Sequence, residues 1–383
     1  MSSFYLRPKR IITLDAILTG HAVLIAGERI AAITVQPDPS IEIIDLPELT
    51  LMPGMIDLHI HGREGADVMD AKPESLQRIA CSLAKYGVTG FLATTVTADW
   101  QQTLAALRCV KQVMANPINE GARLLGAYSE GQFFSSRFKG AHNTHFFLPL
   151  EQQYFEQMLA AAGASLKVVA LAPELENAQQ IIRWLSEQGI KVLLGHCDSS
   201  YDTTCDALNA GACGGVHVFN GMRGLHHREP GTVGALLHRQ EALVELIADG
   251  VHLHPAVVDL IYRLKGAEHM TLISDCVNAG GLVDGRYQLG EMAINVNNGI
   301  ATTDEGSLAG STLTLDKALR FLREQTEVSE LDAVKMASLV PARFLGIAAQ
   351  TGSICVGKFA DLCALDSSGE VIATWVAGKQ VYG

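Results

Sequence analysis

Apolar residues in the middle of the chain fall into eight short runs, and stretches with helical periodicity lie between them. An apolar run of about four to eight residues is typical of a buried strand. Strands that alternate with helices predict a parallel sheet, and eight such units predict a (β/α)8 TIM barrel. The eight runs are residues 55–61, 89–96, 124–131, 166–174, 191–198, 214–221, 243–250 and 270–277.

Three of the helical stretches end at a glycine, which is typical of a helix C-terminus. They are residues 73–87, 179–189 and 201–211. The competing architecture is an open, doubly wound parallel sheet. That fold usually carries a G-x-G-x-x-G turn after an early strand. This chain has no such turn there, so the closed barrel is favoured.

The two ends of the chain show a different pattern. Residues 1–50 contain short alternating runs separated by turns, and the last 25 residues are similar, with a hairpin loop at Asp366–Gly369. Chain termini often lie close together in space. We therefore expect residues 1–53 and 348–383 to form one small β-sandwich domain, and residues 54–347 to form the barrel.

Composition narrows the range of partners and compartments. The formal net charge is −12 and there are no basic runs, which argues against nucleic acid or an anionic membrane as a partner. No apolar stretch is long enough to span a membrane, and the first residues lack the apolar core of a signal peptide. The eight cysteines form no Cys-x-x-Cys pair. We expect reduced thiols in a cytoplasmic protein.

Several predicted barrel strands end in a side chain that can bind a metal ion. The first run places two histidines two residues apart, so both imidazoles lie on one face of a strand. All strand C-termini of a barrel open onto one face, so these side chains are expected to meet there. Each alone could be an ordinary structural or solvated residue, but together they favour a metal site. They are His59, His61, Glu130, His196, His217 and Asp275.

A site of imidazoles and carboxylates indicates hydrolytic chemistry. Such a metal keeps an open position for water and lowers the pKa of that water toward about 7. A carboxylate beside the metal can take the proton of the water and return it to a leaving group. Asp275 follows an apolar run and fits this role. The predicted reaction class is metal-assisted hydrolysis of an amide or ester.

Four further segments carry candidate substrate contacts. The segment 220–231 follows His217 and contains Arg228, which suits a phosphate or carboxylate; the alternative is an ordinary surface loop. His142 and His252 follow the third and seventh strands. The segment 308–319 is a glycine turn that runs into a helix N-terminus, which can bind an anion but can equally be a plain capped helix.

The order of these motifs resembles the N-acetylglucosamine-6-phosphate deacetylases of the amidohydrolase superfamily. The resemblance runs from about residue 10 to the end of the chain, and HHREPG and LAGSTLT are its most specific motifs. The others are PGMIDLHIHG, EG at 130–131, KGAHN, LAPE, GH at 195–196, HVFNGM, IADGVH and the aspartate of LISD. The resemblance implies a metal-dependent barrel with a small β domain from both termini. It also implies a cytoplasmic enzyme that removes acetate from an amino-sugar 6-phosphate.

The resemblance also implies roles for individual residues. Glu130, His196 and His217 would bind the main metal, and His59 and His61 a second metal in members that keep two. The ions, one or two per subunit, would be zinc, iron, manganese or cobalt. Asp275 would be the catalytic acid and base, and His142 would help to polarise the acetyl carbonyl. Sugar and phosphate contacts would come from Ala141, His142, Asn220, Gly221, Arg228, His252, Leu308, Ala309 and Gly310. Family members are usually homodimers, and the neighbour can contribute to the phosphate pocket.

The chain departs from the family pattern at a few positions. The usual HLEGP is replaced by Tyr128–Gln132, and the missing proline predicts a looser loop after Glu130. Cys197 and Cys276 follow two site residues. Their thiols could ligate a metal, but neighbours along a strand face opposite ways, which favours thiols that point into the barrel wall.

Three alternatives stay open. Several segments also resemble the N-acetylgalactosamine-6-phosphate branch, whose sugar differs in the orientation of one hydroxyl. A cyclic amidase or deaminase commonly uses a carboxylated lysine at the fourth strand, and 166–174 has no lysine near its C-terminal end. A non-catalytic barrel scaffold is the third alternative, against which the complete set of six site residues argues.

Overall fold

The computed structural model describes residues 3–117 and 120–383, so the first two residues of the predicted terminal domain lie outside the described part. The strands, in chain order, are β1 Ser3–Ile12, β2 Ile17–Thr19, β3 Ala22–Ala26, β4 Arg29–Thr34, β5 Glu42–Pro53, β6 Met55–Ile60, β7 Gly62–Arg63, β8 Ala66–Asp67, β9 Val88–Thr95, β10 Arg123–Ser129, β11 Leu166–Leu171, β12 Lys191–Leu194, β13 Gly214–Gly215, β14 Leu243–Leu246, β15 Met270–Leu272, β16 Gly285–Leu289, β17 Met292–Asn297, β18 Ile300–Thr303, β19 Leu362–Leu365, β20 Val371–Val376 and β21 Lys379–Tyr382.

The α-helices, in chain order, are α1 Pro73–Ala84, α2 Trp100–Ala115, α3 Gln152–Ala162, α4 Ala178–Glu187, α5 Tyr201–Ala210, α6 Gly231–His238, α7 Pro255–Lys265, α8 Leu315–Gln325, α9 Glu330–Ala337 and α10 Leu339–Phe344. No helix in the described part of the chain is long and apolar enough to cross a membrane.

Eight parallel strands form the barrel, in the order β6, β9, β10, β11, β12, β13, β14, β15. The two end strands meet just beyond their regular ladders, where the Asp275 N–H donates to the His59 carbonyl and the His61 N–H to the Cys276 carbonyl, both at 2.9 Å. Side chains on both faces of the strands are buried, as in other parallel sheets that helices cover. The predicted (β/α)8 barrel is confirmed.

Several predicted strands are too long at their C-terminal ends. The largest difference is the sixth strand, predicted at 214–221 and observed only at Gly214–Gly215. Beyond it the backbone leaves the regular ladder, and His217 adopts a positive φ of 25°. The bend places the His217 side chain over the rim of the barrel instead of continuing the sheet.

Strands from both ends of the chain form a second, separate sheet in the order β21, β20, β19, β5, β1, β3, β4, with β2 at the side of β1. The N-terminal β5 pairs in antiparallel register with the C-terminal β19, for example Met52 with Cys363. This sheet encloses its own apolar cluster, which includes Leu6, Val23 and Trp375. The predicted union of the two ends is confirmed.

Arg123 and Asp361 connect the barrel to the terminal sheet. Arg123 begins β10 at the N-terminal face of the barrel, and its guanidinium contacts both oxygens of Asp361 at 3.2 and 3.3 Å. The same carboxylate accepts hydrogen bonds from the Thr351 hydroxyl at 2.7 Å and the Ala377 N–H at 2.8 Å. Asp361 is buried, so these four bonds replace its lost hydration.

A small antiparallel sheet follows the last barrel strand and is absent from the sequence predictions. It consists of β16, β17 and β18. Its buried side chains, such as Leu289 and Ile294, pack in one apolar cluster with Val96 and Ala141 from loops at the rim of the barrel. The insertion therefore covers one side of the C-terminal face, where the candidate site lies.

Candidate metal centre and substrate cavity

His59 and His61 lie at the C-terminal end of β6 and point into the rim of the barrel. The two side chains are buried, and their Nε2 atoms are 3.3 Å apart. The spacing of two residues along an extended backbone places both rings on one face, as the sequence predicts.

Glu130 follows β10 directly and occupies the centre of the cluster. Its Oε2 is 3.3 to 3.5 Å from one nitrogen of each of His59, His61 and His142. Its Oε1 is 3.5 Å from the Nε2 of His196 and 3.2 Å from the Nε2 of His217. One buried carboxylate thus faces five imidazoles, which came from five separate positions along the chain.

Asp275 completes the cluster from the segment after β15. Its Oδ1 is 3.2 Å from the Nε2 of His61 and 3.5 Å from the Nε2 of His59. Two groups of ligand atoms result, each within 4.8 Å: His59, His61 and Asp275 form one, and Glu130, His142 and His196 form the other. Mixed imidazole and carboxylate donors suit zinc and other first-row divalent ions.

The charges of the cluster favour a cation. Burial alone lowers the pKa of His61, but Asp275 and Glu130 outweigh it and raise the pKa to about 9. Burial alone raises the pKa of Asp275, but His59 and His61 outweigh it and lower the pKa to about 2. The negative charge of these carboxylates also attracts a divalent cation, which displaces the imidazole proton when it binds.

Hydrogen bonds to Nδ1 fix the other imidazoles so that Nε2 faces the centre. Nδ1 lies 2.9 Å from the Phe138 carbonyl in His196 and 3.1 Å from the Asn220 carbonyl in His217. In His142 it lies 2.7 Å from the Thr97 hydroxyl. A partner on one ring nitrogen sets the tautomer and the ring orientation for a metal on the other.

The backbone at the rim is strained. His196 and Asp275 have φ values of 45° and 49°, in the left-handed region that residues other than glycine rarely occupy. His196 lies two residues beyond the end of β12, and Asp275 lies three residues beyond the end of β15. The backbone turn at each position directs the side chain inward over the mouth of the barrel. Strain of this kind clusters at functional sites, where the surrounding structure maintains it.

A cavity of about 480 Å³ lies over the cluster, within the usual size for a small-molecule site. Six of the predicted sugar and phosphate contacts line it besides His142: Ala141, Asn220, Gly221, His252, Leu308 and Gly310. A larger cavity of about 800 Å³ lies at the opposite face of the barrel, but none of the histidines lines it.

Two predicted contacts do not reach the cavity within one chain. Arg228 is exposed, and its guanidinium contacts the ring of neighbouring His227 at 2.8 Å. Ala309 is buried behind the cavity, where its N–H bonds to the Ala301 carbonyl. Arg137 also lines the cavity, and no motif in the sequence predicts it.

The segment after Glu130 is not loosened by the missing proline, which corrects the sequence prediction. Gln132 is fully buried, and its amide donates to the Ala98 carbonyl at 3.1 Å and the Thr103 hydroxyl at 2.8 Å. Its φ is 55°, a conformation that the proline ring forbids. Hydrogen bonds from a glutamine thus secure the loop that a proline would stiffen.

The two cysteines beside the site point away from it. The Cys197 sulfur lies 3.2 Å from the Thr232 hydroxyl, and the Cys276 sulfur 3.2 Å from the Arg63 guanidinium. Burial raises the pKa of the Cys197 thiol to about 12. Both thiols therefore pack in the barrel wall.

The sequence predictions omit two residues that hold the imidazoles, Thr97 and Glu245. Glu245 is a fully buried carboxylate on β14, 3.2 Å from the Nδ1 of His59. A signal for it exists, because it is the one charged residue in the apolar run LVELIA. Thr97 follows an ordinary strand, and nothing in the sequence distinguishes it.

The fold and the site together define a metal-dependent hydrolase of the barrel type. Residues 50–381 match the model of the amidohydrolase family, and the chain belongs to this family.

Relatives of known activity match nearly the whole chain. The N-acetylglucosamine-6-phosphate deacetylase of Vibrio furnissii is 45% identical over 339 residues, 88% of this chain and 84% of the relative. The N-acetylgalactosamine-6-phosphate deacetylase of Escherichia coli O157:H7 is 43% identical over 374 residues, 98% of each chain. A solved structure of a mutant N-acetyl-D-glucosamine-6-phosphate deacetylase from Mycobacterium smegmatis, in complex with N-acetyl-D-glucosamine-6-phosphate, has a TM-score of 0.94 at 30% identity and full coverage of both chains.

Proposed function

We propose that this chain hydrolyses the acetamido group of N-acetylglucosamine 6-phosphate to acetate and glucosamine 6-phosphate. The observation that carries the proposal is the cluster of five imidazoles and two carboxylates at the base of a cavity of about 480 Å³. Relatives with this activity at up to 45% identity support the choice of substrate.

One or two divalent ions would complete the site. Glu130, His196 and His217 would hold one, and His59, His61 and Asp275 would hold the other. Zinc, iron, manganese and cobalt all suit these donors. Once bound, the metal supplies a water molecule of lowered pKa and polarises the acetyl carbonyl.

Asp275 carries the proton transfers. Asp275 accepts a proton from the water molecule as the water oxygen attacks the acetyl carbon. Asp275 then delivers that proton to the amide nitrogen as the carbon–nitrogen bond breaks, and the amine leaves. The low pKa of Asp275 keeps its carboxylate ionised near pH 7, the form that can act as a base.

His142 acts on the other side of the reacting carbon. Burial and the proximity of His196 lower the pKa of His142 to about 4, so the ring is neutral near pH 7. If Thr97 donates to Nδ1, the Nε2–H can donate a hydrogen bond to the acetyl oxygen, where negative charge develops.

The remaining lining residues orient the sugar and its phosphate. Asn220, Gly221 and His252 would bind the phosphate and neighbouring hydroxyls, and Ala141 with the 308–310 turn would close over the ring. Arg228 would serve the cavity of a second copy in a homodimer, because it is exposed in its own chain. We also propose a cytoplasmic location, where sugar phosphates are metabolised.

N-acetylgalactosamine 6-phosphate is the second candidate substrate. The observation that favours it is the 43% identity to a deacetylase of this sugar across 98% of both chains. The two sugars differ at one hydroxyl, so a few hydrogen bonds decide the preference.

The test is acetate release from both sugar phosphates, side by side. The full-length protein is assayed after metal removal and after addition of zinc, iron(II), manganese or cobalt. We expect turnover only with metal, and the ratio of kcat/KM values identifies the sugar. Metal-independent turnover contradicts the metal mechanism, and no acetate from either sugar favours a different substrate or a scaffold.

A further inference from the structure

Glu245 places a carboxylate in the interior of the barrel, outside the group of residues that the proposed reaction uses. The side chain is completely buried on β14. Its Oε2 lies 3.2 Å from the Nδ1 of His59 and 3.4 Å from the backbone nitrogen of His217. Its Oε1 has no hydrogen-bond partner among the described residues.

A carboxylate in this position is costly unless it serves a cation. Removing an ionised carboxylate from water is unfavourable even after the protein relaxes around it. Two long hydrogen bonds offset only part of such a cost. A positively charged group on the far side of His59 would offset more of it, because the imidazole transmits the attraction between them.

His59 differs from the other imidazoles of the cluster in the group that faces its Nδ1. His142, His196 and His217 face a hydroxyl or a carbonyl, which are neutral. The Nδ1 of His61 is buried without a partner in the described part of the chain. Of the neighbouring pair His59 and His61, only His59 therefore has a described partner at Nδ1, and that partner is a carboxylate.

We propose that Glu245 is a positioning residue that sets the affinity of the metal position formed by His59, His61 and Asp275. It accepts a hydrogen bond from the Nδ1–H of His59, which leaves the Nε2 lone pair directed at that position. Its charge also makes the imidazole a stronger donor. The inference rests on the proposed metal centre and determines whether the second ion of that centre is retained.

The experiment measures Zn²⁺ binding to the full-length protein by equilibrium dialysis with elemental analysis. E245Q keeps the shape and an acceptor oxygen but removes the charge, and E245M removes both. We expect wild type to bind two ions per chain. The affinity for the second ion should fall roughly 10-fold in E245Q and closer to 100-fold in E245M, with the first ion retained.

D361N is the matched control, because it converts another buried carboxylate to an amide far from the cluster. Its metal binding should equal that of wild type even if it unfolds more readily, which separates metal loss from destabilisation. E245Q alone suffices should E245M not fold.

Two outcomes contradict the inference in distinguishable ways. Wild type that binds no Zn²⁺ rules out the proposed metal centre and this inference with it. Wild type that binds Zn²⁺ with the same stoichiometry and affinities as E245Q leaves the metal centre intact and overturns the role of Glu245 alone.

Discussion

The two ends of strand β10 carry buried polar clusters of opposite character. At its start, Arg123 and Asp361 join the barrel to the terminal sheet, and both Asp361 oxygens have partners within 3.3 Å. At its end, Glu130 faces five imidazoles at 3.2 to 3.5 Å, and the nearby His61 Nδ1 and Glu245 Oε1 have no partner in the described chain.

The difference separates a structural cluster from a reactive one. Buried polar groups in a stable protein are nearly always paired, so a paired cluster needs no ligand to explain it. The rim cluster instead has a raised pKa at His61, lowered pKa values at His142 and Asp275, and strained backbone at His196 and Asp275. Those features are expected where a cation and a substrate complete the interactions.

The largest effect is expected from D275N at the rim. The amide keeps the size of the side chain but cannot accept the proton of the water, so kcat should fall roughly 10²- to 10⁴-fold. Steady-state kinetics on the preferred sugar phosphate measures the loss, and circular dichroism checks the fold. D275N that turns over like wild type contradicts the role of Asp275.

A smaller effect on kcat is expected from T97V, which tests how the residues at the rim orient the imidazole of His142. Valine matches threonine in shape but cannot bond to the Nδ1 of His142, 2.7 Å away, or accept the Gln132 N–H. We expect kcat to fall roughly 10- to 100-fold because the ring is no longer oriented, with KM changed much less.

T97S is the control for that variant, since it restores the hydroxyl and should restore most of kcat. Equal losses in T97V and T97S would show that the methyl group, and thus packing, is what matters at this position.

At the opposite end of the barrel, D361N should affect stability and not turnover. The change removes the charge that Arg123 contacts and one of the two oxygens, each of which accepts two of the four bonds, so the free energy of unfolding should fall by about 1–3 kcal/mol. Urea denaturation measures it, and kcat should match wild type. A large loss of kcat would break the division between the two clusters.

The sequence predicted the side chains that form the cluster at the rim better than the residues that hold those side chains in place. Strand ends could be located because apolar runs stop there, and the barrel brings all such ends together. That reasoning predicted that Glu130 and Asp275 meet at the rim, and the structure brings them together there although they lie far apart in the sequence. It missed Thr97, whose role depends on how a loop turns after β9, and a loop's path has no periodic signal.

Other differences have equally local causes. The β16–β18 sheet was missed because its strands are short and half-exposed, and polar residues interrupt their apolar runs. The sixth strand was predicted too long because VHVF continues the apolar pattern after the backbone has already left the ladder. Arg228 matched a motif, but a motif does not reveal whether its side chain serves its own chain or a neighbour.

The smallest effect on stability is expected from D249N. Asp249 lies at the rim, but both of its carboxylate oxygens have partners, as both oxygens of Asp361 do. One oxygen accepts from the backbone N–H groups of Val251 and His252 at 2.8 Å, and the other lies 2.7 Å from the Nδ1 of His252. Burial alone raises the pKa of Asp249, but His252 and the two N–H groups outweigh it and lower the pKa below its usual value.

The sign of the pH dependence follows from that direction. A carboxyl group whose pKa is lower in the folded than in the unfolded chain stabilises the fold fully above the unfolded value, about 3.9, and loses this contribution as pH falls through the folded value. The contribution of the Asp249 charge to the difference in unfolding free energy between wild type and D249N should therefore be complete from about pH 5 to 8 and shrink below about pH 4. Urea denaturation of both proteins across that range measures it. A difference that stays unchanged as the pH falls below about 4 would mean that the Asp249 charge does not stabilise the fold, and pairing would then be a poorer guide to role than position on the rim.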